Sequence, residues 1–513
     1  AASLESFQSL QSSYAELGIE FILIDSEGMA RDELNQLDIS LPILEDGGQL
    51  ISEMLGIEKA GDVLVLNPRR LNLYYRGQID PLLDSTLAEL LQGEIDDTVE
   101  SDSAQAGSCG IEFVASDLHA DTPPDYATEV APVIINKCSE CHRQGGVGPF
   151  ALDSYIMLLG WSPMIREVLL NKRMPPTQVD PYIGHSNSAR YLSADEIQTV
   201  VHWIDNGAPR GDGELDPLEL LDLAESQTWE FGEPDFVVTG PENSIAATGV
   251  MDYIYEDVDL GFEGDRWLRA VETRPGDESV LHHLMVFVTA PAEDFWGEER
   301  QQRVVSRRFV EGYAPGPHRA IEFDKGTGVF IPEGHKLSLQ FHYVTNGQST
   351  VDETELGLYF ANSIAGLVER RAFAVGARFE LPADVADFPL VAETKIDTDI
   401  VVTGVRARMS FRGKKMRFIA VDAAGKENIL FSVPAYNYGW QPHYLLDQPV
   451  AIAAGSVLRV EGALDNSISN PTNPDSTRAI AWGLESWEEM FTGYFTYYEA
   501  GAPSATNEAP ASD

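Results

Sequence analysis

Cys138-Ser139-Glu140-Cys141-His142 is the stretch of this chain best equipped for chemistry. Two thiols three residues apart, followed at once by histidine, form the attachment signal for a c-type haem. The thiols can add across the haem vinyl groups, and the adjacent imidazole then faces the iron as its proximal ligand. A zinc site built on the same pair would require further ligands, and the one other cysteine is Cys109, in Ser-Cys-Gly. One covalent haem is therefore expected, held by Cys138, Cys141 and His142.

The sixth iron position calls for Met or His. Met174 is the leading candidate, because the two prolines that follow it stiffen its loop and leave little entropy to lose on ligation. Met164 and His185 are its rivals. The segment also resembles the methionine loop of small cytochromes c, downstream of the haem helix in the expected order. A second constellation lies further on: His282-His283 beside an apolar run, and His342 within Gln-Phe-His-Tyr. Both segments read as strands, and three neutral imidazoles suit copper, with zinc also admissible on chemistry alone.

The elements that must position these groups fall into three kinds. Residues 1–92 alternate helix and strand: an amphipathic start through Leu4, Phe7, Leu10, Tyr14 and Leu17, then strand 19–24 and helix 33–37. Segment 41–44, helix 49–55, strands 62–66 and 71–75 and a closing helix 81–91 complete an α/β order. Residues 93–107 read as an acidic, small-residue linker. Residues 120–215 read as three helices, over 128–137, 154–171 and from the capping box Ser193-Ala-Asp-Glu196 to Asn206-Gly207. From 228 onward short β-rich runs (236–239, 284–288, 337–343, 355–360, 416–421, 457–461) argue for two tandem β-sandwiches, 228–365 and 366–500. Residues 501–513 read as a disordered tail.

With 513 residues the chain is long enough for about three domains, and 43% apolar content allows each a core. The 82 acidic residues against 35 basic give a formal net charge of −47. A polyanion of this kind repels nucleic acid and anionic lipid, so neither is an expected partner. No apolar run approaches the roughly 18 residues of a membrane span. The chain opens Ala-Ala-Ser, so a signal peptide is expected to have been removed. Because haem c is attached outside the bacterial cytoplasm, the expected location is periplasmic or extracellular.

The α/β region resembles the thioredoxin/peroxiredoxin fold, with Leu41-Pro42-Ile43 where that family keeps a cis-proline before a strand. The first strand and the redox cysteines of the family are missing, and residues 1–108 contain no cysteine. A thiol-redox role is thereby excluded for this truncated region, which reads as a docking module with a sheet edge open to a partner.

The region 228–498 resembles the ascorbate-dependent type II copper monooxygenases, the peptidylglycine hydroxylase family, and in particular bacterial members that follow a cytochrome domain. The resemblance rests on His282-His283, Gln340-Phe-His342-Tyr, Arg412-Gly413-Lys414, Tyr438-Gly-Trp440-Gln441, Asp465-Asn-Ser, Asn470-Pro-Thr-Asn-Pro-Asp475 and Trp482-Gly-(x)3-Trp487-Glu-Glu-Met490. It implies an electron-storing copper held by His282, His283 and His342. It also implies an oxygen-activating copper held by a His-x-His pair and a methionine. Met490 stands at the methionine position, but Arg408-Met409-Ser410 replaces His-x-His, and Arg408 puts a permanent cation where a metal should sit. His318, His335 and His443 match no family ligand and are expected at the surface.

The fold class expected is therefore α/β, α and β modules in series: a truncated thioredoxin-like domain, a three-helix cytochrome c domain and two copper-monooxygenase-type sandwiches. The function expected is an electron-transfer or assembly subunit with one haem c and one copper, joined to a redox partner or larger complex, its hydroxylase activity lost. An active monooxygenase fed with electrons through the haem is the alternative, and a structural protein with idle metals a weaker third reading.

Overall fold

A computed structural model describes residues 2–29, 39, 41–67, 72–93, 97–101, 109–176, 179–186, 189, 191–220, 228–293, 308–315, 319–485 and 487–501. The expected helix 33–37, His318 and the tail after residue 501 lie outside the described residues. The chain has mixed α and β content with several sandwich-like sheets, and it divides into two compact units.

The first unit comprises Ala1–Val130, Ser162–Asn171 and Leu192–Asp212. Strand Leu23–Asp25 pairs in parallel with Ile43–Glu45, and Val63–Asn67 pairs antiparallel with Asn72–Gly77. Helix Pro81–Gln92 starts where Asp80 accepts from the backbone of Leu82 and Leu83, with proline at the first helical position. Such a cap contributes about 1 kcal/mol. Phe21, Leu41, Tyr75, Leu83 and Leu87 form the core, with Phe7, Leu10 and Tyr14 packed against it.

Two expectations are corrected here. The one cis peptide among the described residues is Met174–Pro175, so Leu41–Pro42 is trans. The expected linker 93–107 contains a strand, Val99–Glu100, laid in parallel on Tyr75–Arg76. The acidic composition hid it, because the pairing rests on backbone groups and on the single apolar side chain of Val99.

Helix Ala194–Asp205 has the expected capping box: Ser193 Oγ accepts from Glu196 N at 3.1 Å, and Ser193 N donates to Glu196 Oε2 at 2.8 Å. A helix at Val114–Asp121 was not expected, and its His119 meets His202, Nδ1 to Nδ1, at 2.8 Å. The helices of the 120–215 stretch are shared between the two units, so that stretch does not form one compact body of its own.

The second unit comprises Ala131–Trp161, Lys172–Tyr191 and Gly213–Asp513. It holds two four-stranded sheets and a larger one. The first sheet orders Arg308–Tyr313, Leu281–Thr289, Lys336–Tyr343 and Ile254–Asp259. The second orders Phe388–Lys395, Val457–Leu464, Gly413–Val421 and Glu427–Val433. The larger sheet has nine strands, and within it Thr327–Gly328 pairs in parallel with Val368–Glu369. One continuous sheet thus runs across the regions 228–365 and 366–500, which the sequence reading took as separate sandwiches.

Segment 172–191, which the sequence placed with the helices, belongs to this β unit. Asp180 N donates to Ser432 O at 3.0 Å and Asp447 N to His185 O at 3.0 Å. A side chain at Gly184 would strike Leu430 O, and φ there is +65°, so only glycine serves.

Candidate metal centre

Strand Leu281–Thr289 is buried along its whole length. Side chains alternate across a strand, and here Leu284, Val286 and Val288 enter the core of the first sandwich. Met285 and Phe287 point the other way, into a cluster with Phe309, Ala374 and Tyr494. Two consecutive histidines would ordinarily face opposite sides. The register slips between Leu281 and His283, however: Leu281 pairs with Tyr343 while His283 pairs with His342, so His282 occupies a bulge. Bulges re-aim side chains at such places.

The three rings converge as a result. His282 Nδ1 lies 2.9 Å from His283 Nδ1 and 3.3 Å from His342 Nδ1, and the ligand atoms all fall within 4.8 Å of one another. Ligands at about 2.0–2.1 Å from a tetrahedral ion stand about 3.3 Å apart, close to this spacing. The residues are 6%, 4% and 3% exposed. Burial, helped by the charge of Arg408, pushes His282 down to about 4, His283 well below its ordinary value and His342 to about 2. All three imidazoles are neutral at pH 7, the state a metal requires. His282 Nε2 is buried without a well-formed hydrogen bond. The ring of Tyr438 stacks on His282 at 4.9 Å, and Tyr253 lies 4.7 Å from His342. The donor set fits one imidazole-bound metal.

Strand Ile400–Met409 brings Arg406 and Arg408, two residues apart on one face, against Met285 and His283. Arg406 Nη1 lies 3.2 Å from Met285 Sδ. Arg408 makes three contacts: Nε to Met490 Sδ at 3.3 Å, Nη2 to Gln340 Oε1 at 3.1 Å and Nη2 to His283 Nε2 at 3.4 Å. The guanidinium therefore lies between the first histidine cluster and the methionine expected of a second site. Ser410 and Met490 are both buried, and their backbone N–H groups donate to Glu489. Burial raises that carboxyl to about 7, against the pull of the N–H groups of Ser410, Met490 and Arg412. Arg408, Ser410 and Met490 supply one thioether facing a cation and no imidazole, so they do not fit a metal.

The Cys-x-x-Cys-His segment follows helix Ala131–Lys137. The N–H groups of Cys141 and His142 both reach Cys138 O, and the loop returns so that Gly148 N donates to Cys141 O and Leu152 N to His142 O. The cysteines are not joined in a disulfide. His142 Nδ1 lies 3.0 Å from Phe150 O, so it carries the proton and leaves the Nε2 lone pair for a metal. Phe150 packs on His142 at 4.8 Å and on Trp161 at 4.0 Å. Nearby in sequence, Ile156, Leu159 and Met174 are exposed, apolar surface that a large flat ligand could cover. These features fit a haem. Met164 and His185 are likewise exposed.

The return of this loop yields a test. A Cβ at Gly148 would stand 2.8 Å from both Cys141 O and His142 Nδ1. Gly148→Ala is expected to lower covalent haem incorporation several-fold, measured as haem absorbance per chain. The control Gly160→Ala, whose Cβ meets nothing within 4 Å, should leave it unchanged.

His443 corrects an expectation. It is 1% exposed, with Nδ1 at 3.0 Å from Glu311 Oε2 and Nε2 at 2.9 Å from Thr496 Oγ1. Glu311 also binds Arg370 at 2.7 Å and faces Arg406 at 3.7 Å, and every member of this network is buried. His335 is half-buried. Sequence reading missed this network and Tyr253, and it gave Glu489, quoted within Trp487-Glu-Glu-Met490, no role. The network's one visible trace was Arg406 within a largely apolar strand.

No known protein family matches the chain, and no curated protein does. Among solved structures, one titled "Structure of PNGF-II in P21 space group" is similar over 47% of this chain at 9% identity and a TM-score of 0.22. This chain spans 60% of its length. The quasi-atomic model of the PBCV-1 virus capsid is similar over 53% of this chain and 97% of its own, at 8% identity and a TM-score of 0.22. Likenesses this slight bear on neither fold nor function. No helix among the described residues is long and apolar enough to cross a membrane.

Proposed function

We propose that this protein is an exported electron-transfer or assembly subunit carrying one haem c and one copper, whose sandwich region has the architecture of a copper monooxygenase without its hydroxylase centre. The observation that carries this reading is Arg408, whose guanidinium lies between His283 and Met490. A permanently charged side chain there opposes a second cation. Cys138 and Cys141 would hold the haem through thioether bonds, His142 Nε2 would ligate the iron, and Met174 is the proposed second axial ligand. His282, His283 and His342 would hold the copper. Bound, the two groups supply one-electron redox chemistry at neutral pH. The chain's own residues keep three imidazoles deprotonated, exclude water from them, and fix the tautomer of His142 through Phe150 O.

The alternation of helix and strand before residue 93 supports a thioredoxin-like docking module for a redox partner or larger assembly. The proposed covalent haem, a group attached outside the bacterial cytoplasm, would place the protein in the periplasm or outside the cell. The test is a haem spectrum taken on the polypeptide after denaturation and organic extraction. The native chain should retain haem, and Cys138→Ser/Cys141→Ser should lose it. Haem that extracts freely from the native chain would contradict the assignment.

A further inference from the structure

The two candidate centres lie in the same compact unit, and the contact between them has its own pair of residues. Arg143, next to His142, bonds through Nη2 to Glu278 Oε2, and its Nε donates to Glu140 O at 3.0 Å. The side chains are 11% and 19% exposed. Glu278 lies four positions before His282, on the turn that feeds the histidine strand. That turn is itself fastened: Ser279 Oγ donates to Asp277 Oδ1 at 2.5 Å, Asn346 donates to Ser279 Oγ at 2.9 Å, and Val344 N donates to Val280 O at 2.8 Å. Tyr313 borders the same junction. It pairs with Leu284, the neighbour of His283, and is 2% exposed with its hydroxyl unpartnered, within electrostatic reach of Glu278, Cys141 and Arg143.

We infer that Arg143 and Glu278 form a clamp holding the Cys-x-x-Cys-His loop on the trihistidine strand, so that one electron passes between the two centres within a single chain. This rests on the proposed function. Cys138, Cys141 and His142 would hold the one-electron donor and His282, His283 and His342 its acceptor; passing one electron from donor to acceptor would form or break no bond and move no proton. The clamp residues touch neither metal and are positioning residues. Their contribution is a fixed connection from the backbone of His142 through Arg143 and Glu278 to the strand that carries His282. An ion pair so little exposed is lost at a substantial cost when one partner is removed, because the other charge remains buried.

The experiment uses the full-length chain loaded with haem and copper, with iron and copper content measured first. The native protein, R143E and the charge swap R143E/E278R are each reduced at the haem with less than one equivalent of reductant. Haem reoxidation is then followed by absorbance at several protein concentrations, and the haem–copper separation is read by pulsed electron paramagnetic resonance. The native rate should be independent of concentration. R143E should slow it at least tenfold and broaden the distance distribution, and the swap should recover most of both. A rate proportional to protein concentration in the native chain, or R143E equal to native in rate and distance, overturns the clamp. Absence of iron or copper from the native chain overturns the proposed function, and with it this inference.

Discussion

Replacing Glu311 with alanine is expected to lower the unfolding free energy by about 3–5 kcal/mol, the range for removing one partner of a buried ion pair. Arg370 and Arg406 would be left 2% and 3% exposed without their counter-charge. Burial alone would push the Glu311 carboxyl up, but His443, Arg370 and Arg406 together hold it well below the usual carboxylate range. Because burial pushes His443 itself down, the permanent arginine charges keep Glu311 ionised. The network comes from three strands and the His443 segment, and so joins the two sandwiches. Denaturant unfolding of native and E311A protein at pH 7 measures the effect. A change under 1 kcal/mol would mean that the arginines find other partners. The sign with pH also follows. Glu311's contribution is fully present above about 4.3, its unfolded value, and is lost as pH falls through the depressed folded value.

The second large effect concerns the trihistidine centre in acid. An exposed histidine ring takes up a proton near pH 6.5. Here His282 is pushed down to about 4 and the other two rings are lowered as well, by burial first and by Arg408. Copper at this site should therefore be held to lower pH than at an exposed histidine site, read as copper retained after gel filtration at pH 5 and pH 7. Release with a midpoint near 6.5 would mean that the rings are not held neutral by burial. The metal-free protein should behave in the corresponding way. Its unfolded chain takes up protons below about 6.5 while the folded rings do not, so stability falls with pH across that window. His282 alone accounts for roughly 3 kcal/mol when the window is fully crossed. Arg408→Gln removes one lowering charge and should raise the ring pKa values of the metal-free protein, read by NMR titration.

Much of this was legible in the residues, for identifiable reasons. The capping box at Ser193 and the strands at 236–239 and 355–360 declare themselves locally, through side chains that act within four residues or through short runs of β-branched and aromatic residues. The convergence of His282 and His283 was not legible from periodicity. It depends on a bulge, which sequence spacing does not encode and cross-strand register does. Segment 172–191 looked like part of a helical domain because it lies between two helices. Its hydrogen bonds to Ser432 and Asp447, more than 240 positions away, draw it to the β unit. The Glu311 network escaped for the same reason. Its members are spread from position 311 to 443, and a lone buried charge reads as a surface residue until its partners are seen. Arg408 was legible as a substitution in a ligand position. Its contact with His283, which ties the absent site to the present one, was not.

The most direct test of the central claim is the number of iron and copper atoms per chain, measured by elemental analysis on protein loaded with excess Cu and with the haem spectrum recorded alongside. One iron and one copper are predicted, with His342→Ala losing the copper and keeping the iron. Two coppers per chain would contradict the account, since the second could bind only if Arg408 left its position between His283 and Met490.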